Sequence, residues 1–252
     1  MLENLEVAIL AGGRGTRMEE VTSEVPKPMI EIGNRPILWH IMKIFGNHGV
    51  NKFNIALGYK GHIIKEFFLN YSKYFSSMNI DLKKKNVKLL ENIDEDWNIN
   101  LIETGLESET GTRLYSLKDH LKKQSFFFTY GDGVANINLK ELFKFHKNHG
   151  KIATITSVRP PSRFGSLNVQ SRGEVIDFIE KPNKSHHKVS GGFFVLEPEI
   201  FNFLSDKKDC IFEGPPLEMV AKEGQLRAYD HSGFWQCMDT IRDLDQLNTL
   251  WR

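Results

Sequence analysis

Cysteine is scarce in this chain, which has two among 252 residues, Cys210 and Cys237. They lie far apart and form neither a CxxC pair nor a Cys/His spacing. The sequence therefore offers no disulfide framework and no zinc motif. We expect two free thiols in a reducing compartment.

Long hydrophobic runs and an excess of one charge are also missing. No apolar run approaches the roughly 20 residues of a membrane span. The first residues enter a strand pattern without a charged n-region and cleavage site, so we expect no signal peptide and a cytoplasmic protein. Thirty-three basic and 32 acidic residues give a net charge of +1, which provides no field for nucleic acid or a membrane. The basic run 83–85 lacks interleaved aromatics and is interpreted as a solvated loop.

The hydrophobic pattern predicts alternating strands and helices, without repeats, low-complexity segments or a dividing linker. Residues 7–10, 54–57, 126–130, 152–158 and 191–196 read as buried strands. Residues 37–45, 63–71, 141–149, 215–222 and 243–251 read as helices. Residues 166–170 and 174–179 read as a hairpin, whereas 74–93 has no regular pattern. This order predicts an α/β class with a doubly wound, mostly parallel sheet in one domain, 1–252.

A glycine-rich stretch follows the first predicted strand. Residues 12–17 are Gly-Gly-Arg-Gly-Thr-Arg. Glycines let the backbone come within hydrogen-bond distance of a ligand, and several N–H groups in one concavity suit a phosphate chain. Arg14, Arg17 and Lys27 add positive charge, and Lys27 is held extended between two prolines. The stretch predicts a polyphosphate site, although it matches neither the Walker nor the dinucleotide motif, and the alternative is a tight strand-to-helix turn.

Carboxylates and histidines give further candidates. Asp132 lies between glycines after the strand 126–130, where it could hold a divalent metal or form an ordinary Asp-Gly turn. His146 and His149 have no matching ligand group elsewhere and are predicted to be surface residues. The adjacent pair His186 and His187 is interpreted as part of a solvated loop. No G-x-S-x-G or Cys/His arrangement indicates a covalent nucleophile.

Seven further blocks carry a resemblance that runs nearly end to end. They are VPKPM (25–29), LGYKG (57–61), TYGDG (129–133), RFG (163–165), EKP (180–182), GGFFV (191–195) and GFWQCMDT (233–240). With the loop ending in Gly-Thr-Arg, they resemble the sugar-phosphate nucleotidyltransferases, and within this family the glucose-1-phosphate cytidylyltransferases. The resemblance implies a Rossmann-like fold with a nucleotide-binding half, about 1–135, and a smaller β-rich acceptor-binding half, about 136–252.

The resemblance also implies a reaction and a site. CTP and a small phosphorylated acceptor would give a CDP-linked product and pyrophosphate, with one Mg²⁺ as cofactor and a homo-oligomeric assembly. It implies catalytic roles for Arg17 and Lys27 and metal ligation by Asp132 and Asp239. The implied nucleotide-binding residues are Leu10, Ala11, Gly12, Gly13, Gly15, Thr16, Gly111, Tyr130 and Gly131. The implied acceptor-binding residues are Arg113, Glu180, Lys181, Lys188, Ser190, Gly191, Glu213 and Trp235.

The chain departs from the family pattern on the acceptor side. Thr112 stands where the family has glycine, Lys188-Val189-Ser190 replaces Trp-Ile-Asn, and Gly214-Pro215 replaces Arg-Glu. Lost amide and charged groups change which acceptor a polar pocket selects. The acceptor is therefore glucose 1-phosphate or another organophosphate, such as a different sugar phosphate, a glycerol phosphate or a phosphorylated amino acid. UTP or dTTP as the nucleotide, and a non-catalytic regulatory subunit, remain alternatives.

Overall fold

The computed structural model describes residues 2–91, 93–121, 123–160, 165–180 and 187–251. Within these ranges the strands are β1 (Glu6–Leu10), β2 (Glu31–Ile32), β3 (Arg35–Pro36), β4 (Lys52–Leu57), β5 (Met78–Asp81), β6 (Asn86–Leu89), β7 (Asn98–Glu103), β8 (Phe126–Tyr130), β9 (Gly133–Ala135), β10 (Ala153–Val158), β11 (Ser166–Val169), β12 (Val175–Ile179), β13 (Val189–Leu196), β14 (Leu226–Asp230) and β15 (Trp235–Cys237). The α-helices are α1 (Glu19–Thr22), α2 (Ile37–Gly46), α3 (Gly61–Leu69), α4 (Tyr71–Phe75), α5 (Thr110–Ser116), α6 (Lys118–Leu121), α7 (Leu139–His149), α8 (Pro215–Lys222) and α9 (Ile241–Trp251). Short 3₁₀ turns occupy Thr16–Met18, Lys27–Met29 and Pro198–Phe203.

A seven-stranded sheet in the order β14-β10-β13-β8-β1-β4-β7 forms the centre of the molecule. Every neighbouring pair is parallel except the two pairs that β13 makes, with β8 and with β10. Two separate hydrophobic clusters cover the sheet, and successive residues of β8 alternate between them: Phe127 belongs to one, Phe126 and Phe128 to the other. The prediction of an α/β, doubly wound, mostly parallel sheet is confirmed.

The direction of β13 brings two parts of the chain to one edge of the sheet. The parallel strands β1, β4 and β8 end at this edge, and antiparallel β13 begins there. The short antiparallel pair β9 and β15 lies just beyond, with Cys237 opposite Gly133. The N–H of Met238 donates to the carbonyl of Asp132 at 2.8 Å. Asp132 and Asp239, distant in sequence, therefore become neighbours.

Several local predictions need correction. Part of the stretch without a regular pattern forms the hairpin β5–β6. Strands β9 and β14 were not predicted. The helix predicted over 63–71 is divided at Asn70 into α3 and α4.

Among the described residues, no helix is long and apolar enough to cross a membrane.

The prediction that His146 is a surface residue is wrong. Leu139, Leu142 and His146 lie on the same face of α7, and all three are fully buried. The imidazole is accommodated because Thr154 and Glu197 supply hydrogen-bond partners. His149 is half-buried, His187 is exposed as predicted, and His186 lies outside the described residues.

Candidate active site

The glycine-rich loop closes over the carboxyl ends of β1 and β4. The N–H of Tyr59 donates to the carbonyl of Gly12 at 3.0 Å. A Cβ added at Gly12 would lie 2.9 Å from the backbone nitrogen of Gly58 and 2.3 Å from the Arg113 guanidinium, so only glycine fits. Gly15 has φ of +64°, the left-handed region that glycine adopts without strain. The sequence therefore folds into a tight loop whose backbone borders a pocket.

The Arg113 side chain packs against the backbone of this loop at Gly12. Its side chain is 4% exposed and donates to the carbonyls of Leu57 and Gly105 and to the Thr104 hydroxyl, at 3.1, 2.8 and 2.8 Å. Burial lowers the pKa of Arg113, against the opposing effect of nearby carboxylates. The resemblance assigned Arg113 to the acceptor, but the structure places it beneath Gly12, beside the nucleotide-side residues.

Four charged side chains form the centre of the site. Lys27 Nζ lies 2.7 Å from Asp132 Oδ2 and 2.8 Å from Asp239 Oδ1. Arg17 Nη1 lies 3.3 Å from Asp239 Oδ2, and the Arg17 side chain is 77% exposed. The structure thus brings together the two predicted catalytic cations and the two predicted metal ligands.

The electrostatics of the centre favour the charged forms of Lys27 and Asp239. Burial by itself lowers the pKa of Lys27, but Asp132 and Asp239 outweigh it, so the pKa is raised. Burial by itself raises the pKa of Asp239, but its contacts with Lys27 and Arg17 outweigh that effect and lower the pKa. Burial and the Asp239 and Asp132 carboxylates raise the pKa of Cys237 to about 12. Cys237 is therefore a neutral thiol and a poor nucleophile.

Asp243 holds Asp239 in place and was missed in the sequence. Its Oδ2 accepts from the N–H groups of Asp239 and Thr240 at 3.1 and 2.9 Å, and from the Thr240 hydroxyl at 2.8 Å. The Thr240 hydroxyl in turn accepts from the N–H of Asp243 at 3.3 Å. This is a capping box at the start of α9, and the spacing Thr-x-x-Asp could have revealed it.

A pocket of about 230 Å³ lies between the loop and the charged centre. It is lined by Leu10, Ala11, Gly13, Gly15, Lys27, Pro28, Ser108, Glu109, Thr110, Arg113, Tyr130, Gly131 and Asp132. Most of the residues that the resemblance assigned to the nucleotide are in this set. Ser108, Glu109 and Thr110 were not predicted. Thr16 is exposed at the start of a 3₁₀ turn, and Gly111 lies inside α5 with its N–H bonded to the carbonyl of Cys210 at 2.8 Å.

Tyr130 and Glu213 form one wall of this region. The Tyr130 hydroxyl donates to Glu213 Oε1, and the Thr110 hydroxyl donates to Glu213 Oε2 at 2.5 Å. Burial, together with the Glu213 carboxylate, raises the pKa of Tyr130 well above its ordinary value. The predicted nucleotide residue Tyr130 and the predicted acceptor residue Glu213 are therefore in direct contact.

The remaining acceptor-side predictions cluster around the start of β13. Lys188 Nζ pairs with Asp230 Oδ1 at 2.9 Å, which lowers the pKa of Asp230. The Ser190 hydroxyl accepts from the N–H of Gly192 at 3.3 Å. Trp235 Nε1 donates to the carbonyl of Gly191 at 2.7 Å.

The block at 180–182 is described only in part. Glu180 is exposed directly after β12, and Lys181 lies outside the described residues. Arg163 and Phe164 of the block at 163–165 also lie outside them.

Comparison with known proteins identifies the relatives of this chain. A family model described as nucleotidyl transferase matches residues 6–249. The chain is 45% identical over 248 residues to the glucose-1-phosphate cytidylyltransferase of Salmonella typhi, covering 98% of this chain and 96% of that protein. It is 44% identical over 247 residues to a probable glucose-1-phosphate cytidylyltransferase of Bacillus subtilis, with coverage of 98% and 96%. The solved structure of a putative glucose-1-phosphate thymidylyltransferase from Bacillus anthracis matches the fold with a TM-score of 0.70 at 18% identity, covering 98% of this chain and 94% of that one.

Proposed function

The chain belongs to the nucleotidyl transferase family, and we propose that it transfers CMP from CTP to glucose 1-phosphate, giving CDP-glucose and pyrophosphate. The observation that carries the proposal is the convergence of Lys27, Asp132 and Asp239 within 2.8 Å contacts beside the glycine-loop pocket. The relatives that match nearly the full chain are named for this reaction.

The reaction is a direct displacement at phosphorus. A phosphate oxygen of glucose 1-phosphate forms a bond to the α-phosphorus of CTP while the bond from that phosphorus to the α,β-bridging oxygen breaks. Such a step depends on positioning and on neutralising charge. Lys27 bridges the α-phosphate and the incoming phosphate, and exposed Arg17 stabilises charge on the departing pyrophosphate. Neutral Cys237 takes no part as a nucleophile.

The carboxylates of the centre fit a divalent cation. Asp132 and Asp239 each direct an oxygen at the same positively charged atom, Lys27 Nζ, at 2.7 and 2.8 Å. Oxygen ligands of this kind, completed by substrate phosphates, suit Mg²⁺. When bound, the ion supplies charge neutralisation at the α-phosphate. Among the described residues, no group of three or more His, Cys, Asp or Glu side chains is placed to hold a metal ion.

The two substrates occupy the two sides of the charged centre. The backbone of residues 10–13 borders the CTP pocket, where Arg113 holds the loop in shape. The acceptor lies toward β13, near Glu213 and Lys188, and the predicted roles of Glu180 and Lys181 belong to this side. We propose a single domain for both halves. Cytoplasmic location and homo-oligomerisation stay predictions.

A pyrophosphate-release assay tests the proposal. Four nucleoside triphosphates are crossed with glucose 1-phosphate, other sugar phosphates, glycerol phosphate and a phosphorylated amino acid. We expect turnover with CTP and glucose 1-phosphate, lowered by at least about 100-fold in Lys27→Ala and retained in the matched control Lys43→Ala. Turnover only with another acceptor would overturn the assignment of glucose 1-phosphate. Binding of CTP without turnover of any pair would indicate a regulatory subunit.

A further inference from the structure

Lys27 lies where two carboxylates meet. Its ammonium contacts Asp132 Oδ2 at 2.7 Å and Asp239 Oδ1 at 2.8 Å, and its side chain is 13% exposed. The proposed function assigns the same two carboxylates to a divalent cation. The two carboxylates belong to different elements, the turn between β8 and β9 and the segment before α9, so their convergence on one atom depends on the tertiary fold.

An ammonium and a divalent ion held by the same two carboxylates would repel each other strongly. A magnesium ion bound to both carboxylates lies about 2.0–2.1 Å from its ligand oxygens. With Lys27 Nζ also in contact, two cations would stand next to each other in a partly buried place, where water and salt screen their repulsion weakly. One of them has to leave.

The backbone of Lys27 is fixed, whereas its side chain can move. Lys27 begins a 3₁₀ turn in which the N–H of Met29 donates to the carbonyl of Pro26 at 2.7 Å, and the N–H of Ile30 donates to the backbone carbonyl of Lys27 at 3.1 Å. Prolines on both sides restrict the main chain. The flexible lysine stem can therefore carry the ammonium from the carboxylates to a phosphate in the adjoining pocket, which Lys27 also lines.

From this geometry we infer that Lys27 is a built-in competitor for the divalent cation: in the nucleotide-free enzyme it closes the cation site, and an incoming triphosphate draws it away. The inference rests on the proposed function. The negative triphosphate supplies the new partner for the ammonium, and the carboxylates become available to the ion that accompanies the nucleotide. The free enzyme then binds divalent ions weakly, and the same lysine serves turnover once nucleotide is present.

Replacement of Lys27 should lower turnover and, in the nucleotide-free protein, strengthen divalent-ion binding. Lys27→Met keeps the length of the side chain and removes its charge. It should abolish turnover, as expected for a catalytic lysine, and strengthen divalent-ion binding by the nucleotide-free protein on the order of tenfold, which corresponds to about 1.4 kcal/mol. A lysine that acts only on phosphates would leave metal binding without nucleotide unchanged.

The test uses Mn²⁺ as the probe, with free ion measured by electron paramagnetic resonance during titration of nucleotide-free protein. The proteins are the parent, Lys27→Met, Lys27→Gln, the charge control Lys43→Met, and the double variant Lys27→Met with Asp132→Asn. We expect tighter Mn²⁺ binding in both Lys27 variants, parent-like binding in Lys43→Met, and loss of the gain in the double variant. Equal or weaker binding in the folded Lys27 variants, checked by circular dichroism, overturns the inference.

Pyrophosphate release by the parent separates the two proposals. If the parent turns over CTP and glucose 1-phosphate while Lys27→Met gains no Mn²⁺ affinity, only the competitor role fails. If the parent releases no pyrophosphate with any substrate pair, the proposed function fails whatever the metal titration gives. A gain that persists in the double variant places the metal elsewhere and also overturns the competitor role.

Discussion

Two adjacent glycines of the loop have different surroundings, and this difference can be tested residue by residue. A Cβ at Gly12 would meet the Gly58 backbone and the Arg113 guanidinium, whereas a Cβ at Gly13 would meet nothing within 4 Å. We expect Gly12→Ala to lower the free energy of unfolding by about 1–3 kcal/mol, because the loop and Arg113 cannot both keep their positions. Gly13→Ala, the matched control, should change it by less than about 0.5 kcal/mol. Urea denaturation measures the change in unfolding free energy for each variant. Equal changes would mean that Arg113 is not in close contact with the backbone at Gly12.

A histidine relay, the hydrogen-bonded series His149, Thr154, His146 and Glu197, gives a second prediction at this scale. The N–H of Lys151 donates to His149 Nδ1 at 2.9 Å, so the His149 proton lies on Nε2 and faces the Thr154 hydroxyl at 2.7 Å. That hydroxyl then donates to His146 Nδ1 at 2.8 Å, and His146 Nε2 donates to Glu197 at 3.2 Å. Because the Glu197 carboxylate can only accept from His146 Nε2, this assignment gives each imidazole one N–H and leaves both neutral.

This relay makes stability depend on pH. Burial lowers the pKa of His146 from 6.5 to about 4, against the opposing effect of Glu197. Between these values the unfolded chain binds more protons than the folded chain, so stability rises with pH through this window and is complete above 6.5. The linked change amounts to about 3 kcal/mol. We expect His146→Gln to flatten the curve of unfolding free energy between pH 4 and 6.5 relative to the parent. A slope that survives in His146→Gln would assign the linkage to other groups.

Local sequence patterns mark the charged residues of the candidate site more clearly than the residues that support them. Lys27 and Asp132 stand in conspicuous local patterns, a lysine between prolines and a carboxylate between glycines. Arg113 carries no local sign that its partners are the carbonyls of Leu57 and Gly105. Those partners are set by the close approach of distant segments, which the order of residues does not encode locally.

At the scale of elements, the start of α5 is tied to a distant segment, residues 207–213, which we name the α5 strap. The N–H of Glu109 donates to the carbonyl of Lys208 at 2.9 Å, and the N–H of Phe212 donates to the Thr110 hydroxyl at 2.9 Å. That hydroxyl also donates to Glu213 at 2.5 Å. The first turn of the helix thus finds its hydrogen-bond partners in the strap instead of in a local cap.

Thr110→Val tests the strap. The change keeps the shape of the side chain and removes both hydroxyl bonds, so we expect a loss of about 1–3 kcal/mol in unfolding free energy. We also expect a raised KM for glucose 1-phosphate, because Glu213 loses one of its two anchors. Thr249→Val on α9, where the hydroxyl bonds only to its own helix, is the control and should cost less than about 0.5 kcal/mol. A loss of stability with an unchanged KM would show that the strap stabilises the fold without positioning Glu213 for the acceptor.

Elements with a strong apolar periodicity were predicted from the sequence. Strands that exist mainly because they pair with another strand were missed. Helix α2 and strand β8 match their predicted ranges within one residue, because each carries a clear apolar pattern. The hairpin β5–β6 is largely exposed, so burial imposes no alternation on its sequence. Strand β9 has three residues and exists through its pairing with β15. Such pairing depends on the tertiary fold and not on local propensity.

At the scale of the whole molecule, the site depends on how the sheet is ordered. The strands that carry the glycine loop and Asp132 are adjacent, with β1 beside β8, and β13 enters next to them in the opposite direction. Open α/β sheets bind ligands outside the carboxyl ends of their strands. The reversed strand adds Lys188, Ser190 and Gly191, which are predicted to bind the acceptor, to that same edge; a purely parallel sheet of these strands would place them at the opposite end.

The double-sided core that supports this edge gives the final prediction. Phe127 and Phe128 are adjacent in β8, both fully buried, and each belongs to a different hydrophobic cluster. Because both faces are covered, Phe127→Ala and Phe128→Ala should each cost about 3–5 kcal/mol in unfolding free energy. Phe178→Ala, at a site 57% exposed on β12, is the control of the same residue type and should cost less than about 1 kcal/mol. Chemical denaturation with matched m-values measures all three. A large cost for only one of the β8 phenylalanines would mean that one face of the sheet is open to water, and a strand open on one face would not hold Asp132 and the glycine loop in a fixed register.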